Sequence, residues 1–121
     1  MSERAKENFE KARAKLAEFM ASEVSDPEIV RTAVIQAFEY TFEAGWKLLR
    51  GRVVDAGEVP QGPRDAIRLA ASLGILENGD EEVWLAMLMD RNNSVHTYND
   101  ELALAMEQRI REQYANVFAK L

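Results

Sequence analysis

Residues 26–57 read DPEIVRTAVIQAFEYTFEAGWKLLRGRVVDAG, and this stretch decides the fold. Asp26 is a good capping residue, Pro27 suits a first helical position, and Glu28 favours the positive end of a helix. Val30, Val34, Phe38, Phe42, Gly45, Leu49 and Val53 then recur every three or four residues, the period of one helical face. A second stripe, Ile35, Phe42, Trp46 and Leu49, widens that face. Gly57 ends the pattern. The spacing predicts one helix of roughly 28 residues, about 42 Å long at 1.5 Å per residue. A helix so long, with so broad an apolar face, is expected to pack on more than its own chain.

Working outward, the same period appears on both sides. Phe9, Ala12, Leu16, Phe19 and Met20 predict a helix over about 3–21, with Lys, Arg and Glu on its other face. Pro60-Gln61-Gly62-Pro63 makes a turn, and Ala66, Ile67, Ala70 and Leu73 are expected to point inward from a helix over about 63–73, stopped by Gly74. After Asn78-Gly79-Asp80, a fourth helix buries Val83, Trp84, Met87 and Leu88. The last runs from about Asn99 to Ala119, with Leu102, Met106, Ile110, Tyr114 and Val117 inside. Thr97-Tyr98-Asn99-Asp100 matches a capping box that would open it. The expected architecture is all-α, an antiparallel up-and-down bundle of about five helices in one domain over 1–121.

Composition narrows the chemistry. The chain has 121 residues, no cysteine and a single histidine, so thiolate zinc sites and multi-histidine metal sites within one chain are excluded. No cofactor is implied. Apolar runs fall short of a bilayer span and the N-terminus is charged, so the expected location is cytoplasmic, with no membrane contact. The formal net charge of −6 speaks against coating nucleic acid by bulk basicity and suits a basic partner. Lys47, Arg50 and Arg52, with Arg64 and Arg68, read as solvated cations near helix ends.

One segment does not read as scaffold: Asp90-Arg91-Asn92-Asn93-Ser94-Val95-His96-Thr97-Tyr98. Arg91 follows Met87 by four residues and Trp84 by seven, so it continues the buried stripe of the fourth helix. An inward guanidinium needs an anionic partner or a ligand. Glu39 and Glu43 across the bundle are two candidates. Asn92, Asn93 and Ser94 are poor helix formers, so the helix should loosen there and gather polar groups where two helices meet.

Arg91, His96 and Tyr98 form an Arg-x4-His-x-Tyr pattern that resembles the signature of HEPN-domain proteins found beside minimal nucleotidyltransferases. The stretch from Ile35 to Lys47, the run Pro63-Arg64-Asp65-Ala66-Ile67-Arg68, and Asp90-Arg91-Asn92 with His96-Thr97-Tyr98 are similar to the nucleotidyltransferase substrate-binding branch of that family. The resemblance spans roughly residues 5–118. One departure is that the branch commonly follows the tyrosine with Asp-Glu, where this chain has Asn99 before Asp100-Glu101.

The resemblance implies a two-fold homodimer whose Arg-x4-His segments share one cleft, and a minimal nucleotidyltransferase partner in a heterotetramer. It implies a metal-independent ribonuclease with Arg91 and His96 catalytic and Asn92 supporting, RNA as the substrate, and Tyr98 as the site of adenylylation by the partner. Glu39, Glu43, Trp46 and Lys47 would line a cleft for substrate or partner. The chain itself has no Gly-Ser turn followed by an Asp-x-Asp pair for magnesium, so it does not resemble the transferase. Three readings stay open: a toxin of a toxin–antitoxin pair, a non-enzymatic subunit that presents substrate to the transferase, and a helical scaffold.

Overall fold

The computed structural model describes residues 2–93 and 99–121. The elements, in order, are α1 (Ser2–Met20), α2 (Pro27–Asp55), α3 (Pro63–Ser72), α4 (Asp80–Asn92), α5 (Asp100–Arg109), a π-helical turn (Ile110–Tyr114) and α6 (Ala115–Ala119). The described residues form an all-helical bundle, as the periodicities require. The long central helix starts as expected: Asp26 accepts a hydrogen bond from the Glu28 amide at 2.9 Å, and Pro27 occupies the first turn. It ends as expected too. Gly57 takes a left-handed φ of 96°, and the Glu58 amide reaches back to the Val53 carbonyl at 3.1 Å.

α2 is the spine. α1 packs along it, and α3, α4 and the last helix lie on it in turn. Aromatic rings join these elements into one core. Phe38 of α2 stacks on Tyr114 at 5.3 Å between centroids, and Phe42 lies 5.8 Å from Trp84. Trp84 meets Phe118 edge-on at 5.5 Å, and Phe118 meets Phe9 of α1 at 5.9 Å. Such edge and offset contacts suit the aromatic quadrupole. The crossing depends on Gly45. A Cβ there would stand 2.7 Å from Trp84 Cη2 and 3.3 Å from Phe9 Cε1, so only a glycine lets α2 come this close to both rings.

Three expectations need correction. Leu73 is exposed, because it caps α3 instead of continuing it. Leu102 is also exposed. It sits in the first turn of α5, where no neighbouring helix covers it, and Ala103 is buried in its place. The cap of α5 is Asn99, whose Oδ1 accepts from the Leu102 amide at 3.0 Å. The helix begins at Asp100, which puts Asn99 at the capping position; the Thr97 cap lies outside the described residues. The last helix is also not uniform. The π turn over Ile110–Tyr114 inserts extra winding that the sequence pattern gives no sign of, and both of its buried residues, Ile110 and Tyr114, face the core.

Candidate functional site

The end of α4 is fixed before any functional side chain is considered. Asp90 receives a bidentate fork from Arg109, Nε to Oδ2 at 2.9 Å and Nη2 to Oδ1 at 2.8 Å. The Tyr114 hydroxyl donates to the same carboxylate at 2.5 Å. Arg109 and Tyr114 bracket the π turn, so this irregularity lets both side chains reach one carboxylate. The environment acts on both partners. Burial, then the hydrogen bond to Asp90, pushes the Tyr114 hydroxyl well above the usual tyrosine range. The hydrogen bond to Asp90 likewise raises Arg109 and keeps it charged.

Arg91 is the next residue, and with Asp90 clamped its side chain turns toward α2. There it forms an ion pair with Glu43, both groups about one-third exposed at the margin of the core. Of the two carboxylates suggested by the sequence, the pair described is therefore with Glu43. Arg91 Nη1 also donates to the Asn92 side-chain oxygen at 3.1 Å. Glu43 is held from its other side, because Trp46 Nε1 donates to Oε2 at 3.3 Å. Arg50 in turn lies over the Trp46 ring, 5.0 Å from its centroid. A continuous chain of contacts thus runs Arg50–Trp46–Glu43–Arg91–Asn92 across the face of α2 and onto the end of α4.

The proposed cleft residues do not gather in one hollow. Glu43 and Lys47 line a groove of about 560 Å³ between α1 and α2, together with Arg4, Asn8, Tyr40 and Arg50. Glu39 lines a separate hollow between α2 and α5, with Arg31, Gln36 and Asp100. Trp46 lines neither and acts through Glu43 and Arg50. His96 and Tyr98 lie outside the described residues. The described residues flanking them, Asn93 and Asn99, cap the end of α4 and the start of α5.

Sequence reading missed the Asp90 clamp. The signal available was the placement of Asp90 beside Arg91, but nothing along the chain links it to residues nineteen and twenty-four positions away. It also missed Arg4, Asn8 and Tyr40 as neighbours of Lys47. Among the described residues no group of three or more acidic or histidine side chains is arranged to hold a metal ion, and no helix is long and apolar enough to cross a membrane.

The fold and this site define a helical bundle whose central helix presents a carboxylate to an arginine at the end of a neighbouring helix. Residues 5–121 match the family model described as nucleotidyltransferase substrate binding protein like, and the chain belongs to that family. A crystal structure of a protein from Thermus thermophilus superposes with a TM-score of 0.82 at 40% sequence identity, covering 92% of each chain. No curated protein matches the chain.

Proposed function

We propose that this chain is an HEPN-type subunit working with a separate minimal nucleotidyltransferase, and that Arg91, His96 and Tyr98 form its phosphate-handling centre. The observation that carries the reading is the placement of Arg91. It is half-buried at the end of α4, braced by the Asp90 clamp and ion-paired with Glu43, and His96 follows five residues later. A guanidinium in such a place can exchange its carboxylate for a phosphate, because both present paired oxygens to the same fork.

The chemistry is ribonuclease chemistry. An imidazole ordinarily titrates at about pH 6.5, so His96 can take the proton of a ribose 2′-OH. The 2′-oxygen attacks phosphorus, the bond to the 5′-oxygen breaks, and a second imidazole returns a proton to that leaving oxygen. Arg91 stabilises charge on the phosphoryl oxygens. One chain supplies one histidine, so the acid and base come from two chains in a two-fold dimer. RNA is the substrate because DNA lacks the nucleophile. Adenylylation of Tyr98 by the partner would add bulk and negative charge beside Arg91 and His96 and block an RNA phosphate, which makes the pair a toxin and its antidote.

A second reading is supported by the same ion pair. Glu43 already neutralises Arg91, which suits a non-enzymatic subunit that positions substrate for the transferase, in keeping with the family description. Expression of the chain alone separates the two. The toxin reading expects arrested growth and cleaved RNA, both abolished by His96→Ala. Equal growth of wild type and variant, with intact RNA, leaves the presenting subunit. Mass spectrometry after co-expression with the transferase is expected to find an adenylate on the Tyr98 peptide. An unmodified peptide beside an active transferase would exclude that role.

A further inference from the structure

The Arg91 centre is closed by a carboxylate of the protein's own. Glu43 pairs with Arg91 where both side chains are about one-third exposed, so the guanidinium fork that the proposed chemistry needs is already filled. The Glu43 side chain is also tethered. Trp46 Nε1 donates to its Oε2 at 3.3 Å, and Arg50 lies 5.0 Å from the Trp46 ring centroid. An anion entering the fork must displace this carboxylate, and a partly buried carboxylate left without a cation is costly. The displaced carboxylate therefore needs a second cation within reach.

Lys47 supplies it. It stands four residues after Glu43 on α2 and lines the same groove. Residues four apart are neighbours on a helix surface, and Glu before Lys is the favourable order. Helical side chains lean toward the N-terminus, which brings a lysine back toward the residue four before it. Lys47 is exposed, and among the described residues it has no ion pair of its own. Glu43 thus has two cations within its reach on different elements, Arg91 of α4 and Lys47 of its own helix, and it is paired with the first. A change of rotamer at Glu43 carries the carboxylate from one to the other with the backbone of α2 unchanged. The charges balance in both states. With Glu43 on Arg91, Lys47 is solvated. With Glu43 on Lys47, a phosphate takes its place on Arg91, and no partly buried charge is left unpaired.

We propose that Glu43 gates the Arg91 centre: it occupies the arginine fork before RNA arrives and moves to Lys47 when an RNA phosphate enters. Lys47 is then a positioning residue, which receives the gate without touching the substrate. The proposal rests on the ribonuclease reading for its ligand and adds to it the step that opens the site. Its effect on affinity is that of any closed state, because the apparent dissociation constant rises in inverse proportion to the open fraction.

The test compares wild type, Glu43→Gln, Lys47→Gln and the double variant for binding of a single-stranded 2′-O-methyl RNA oligonucleotide, which lacks the 2′-hydroxyl nucleophile and stays intact. Titration at about 0.15 M salt screens long-range charge effects. Glu43→Gln keeps the shape of the side chain, removes its charge, and is expected to tighten binding about tenfold, as an open fraction of about one-tenth requires. A gain is informative, because a merely structural role for Glu43 predicts a loss. Lys47→Gln is expected to weaken binding about twofold, the worth of one ion pair four residues apart, and to have no effect once Glu43 is already replaced. A second readout is the indole N–H resonance of Trp46, which should move when RNA displaces Glu43, while that of the fully buried Trp84 stays in place. Unchanged or weakened binding in Glu43→Gln, with the circular dichroism spectrum of wild type, would overturn the gate. So would an equal loss from Lys47→Gln in both backgrounds, which would put Lys47 on the RNA itself. Should Glu43→Gln fail to fold, the wild-type Trp46 resonance decides, and no shift at saturating RNA overturns the gate. Tighter binding by Glu43→Gln with no cleavage of ordinary RNA by any of the four proteins would sink the ribonuclease reading alone; cleavage by wild type with no gain in Glu43→Gln would sink the gate alone.

Discussion

Replacing Gly45 by alanine tests the packing argument at its tightest point. The added Cβ would lie 2.7 Å from Trp84 Cη2, with Trp84 Cζ3 and Phe9 Cε1 both at 3.3 Å. Trp84 has no solvent-exposed surface and is enclosed by Phe42 and Phe118, so its ring has no open space to enter. Two effects oppose each other. Alanine gains about 1 kcal/mol of helix propensity over glycine in a helix interior. Overpacking a well-filled core costs about 1–3 kcal/mol, and a clash with a rigid, fully buried ring belongs at the upper end. The net expectation is a loss of about 1–2 kcal/mol. For a chain of this length that lowers the melting temperature by about 4–10 °C. Thermal and urea unfolding followed by circular dichroism would measure it. The decisive comparison is a double-mutant cycle with Trp84→Phe. Phenylalanine lacks the two ring atoms that clash, and the lost indole N–H has no partner among the described residues, so little hydrogen bonding is given up. In that background Gly45→Ala should become neutral or stabilising by up to about 1 kcal/mol. If Gly45→Ala were as stable as wild type with Trp84 in place, the close approach of α2 and α4 would not be what glycine provides.

Two further outcomes follow from the clamp and the cap. Tyr114→Phe removes the donor to Asp90 while leaving the Arg109 fork, and is expected to cost about 1–2 kcal/mol. Because the folded hydroxyl titrates above its unfolded value near 10, its contribution is complete below about pH 10 and is lost as the pH rises beyond it. Wild type should therefore lose stability above pH 10 more steeply than Tyr114→Phe, and a matching pH profile for the two would refute the coupling. Asn99→Ala removes the cap of α5 at about 1 kcal/mol, so the Leu102 amide should exchange with solvent about fivefold faster. An unchanged exchange rate there would show that the cap does not hold this helix end.

Much of the bundle was legible from local chemistry. Asp26, Pro27 and Gly57 mark the ends of α2 because capping and left-handed geometry depend on a few adjacent residues, and those residues carry the signal themselves. The buried stripe from Val34 to Val53 was readable for a related reason, since an α-helix places every third or fourth residue on one face. Edges were less legible. Leu73 and Leu102 sit at helix ends, where apolar character does not reveal whether another helix lies above. Of the candidate site, the sequence showed that Arg91 needs an anion and offered Glu39 or Glu43.

The sequence by itself determined the α-helices, their order and the residue types of a candidate site around Arg91, because these follow from period, caps and a short motif. Only the tertiary structure decided that Glu43 is the partner described for Arg91, that Asp90 is gripped by Arg109 and Tyr114 across a π turn, and that Arg4 and Tyr40 share a groove with Lys47. Those pairings depend on where helices cross and how each is rotated about its axis. Those features are set by the whole core, down to the one missing methyl group at Gly45.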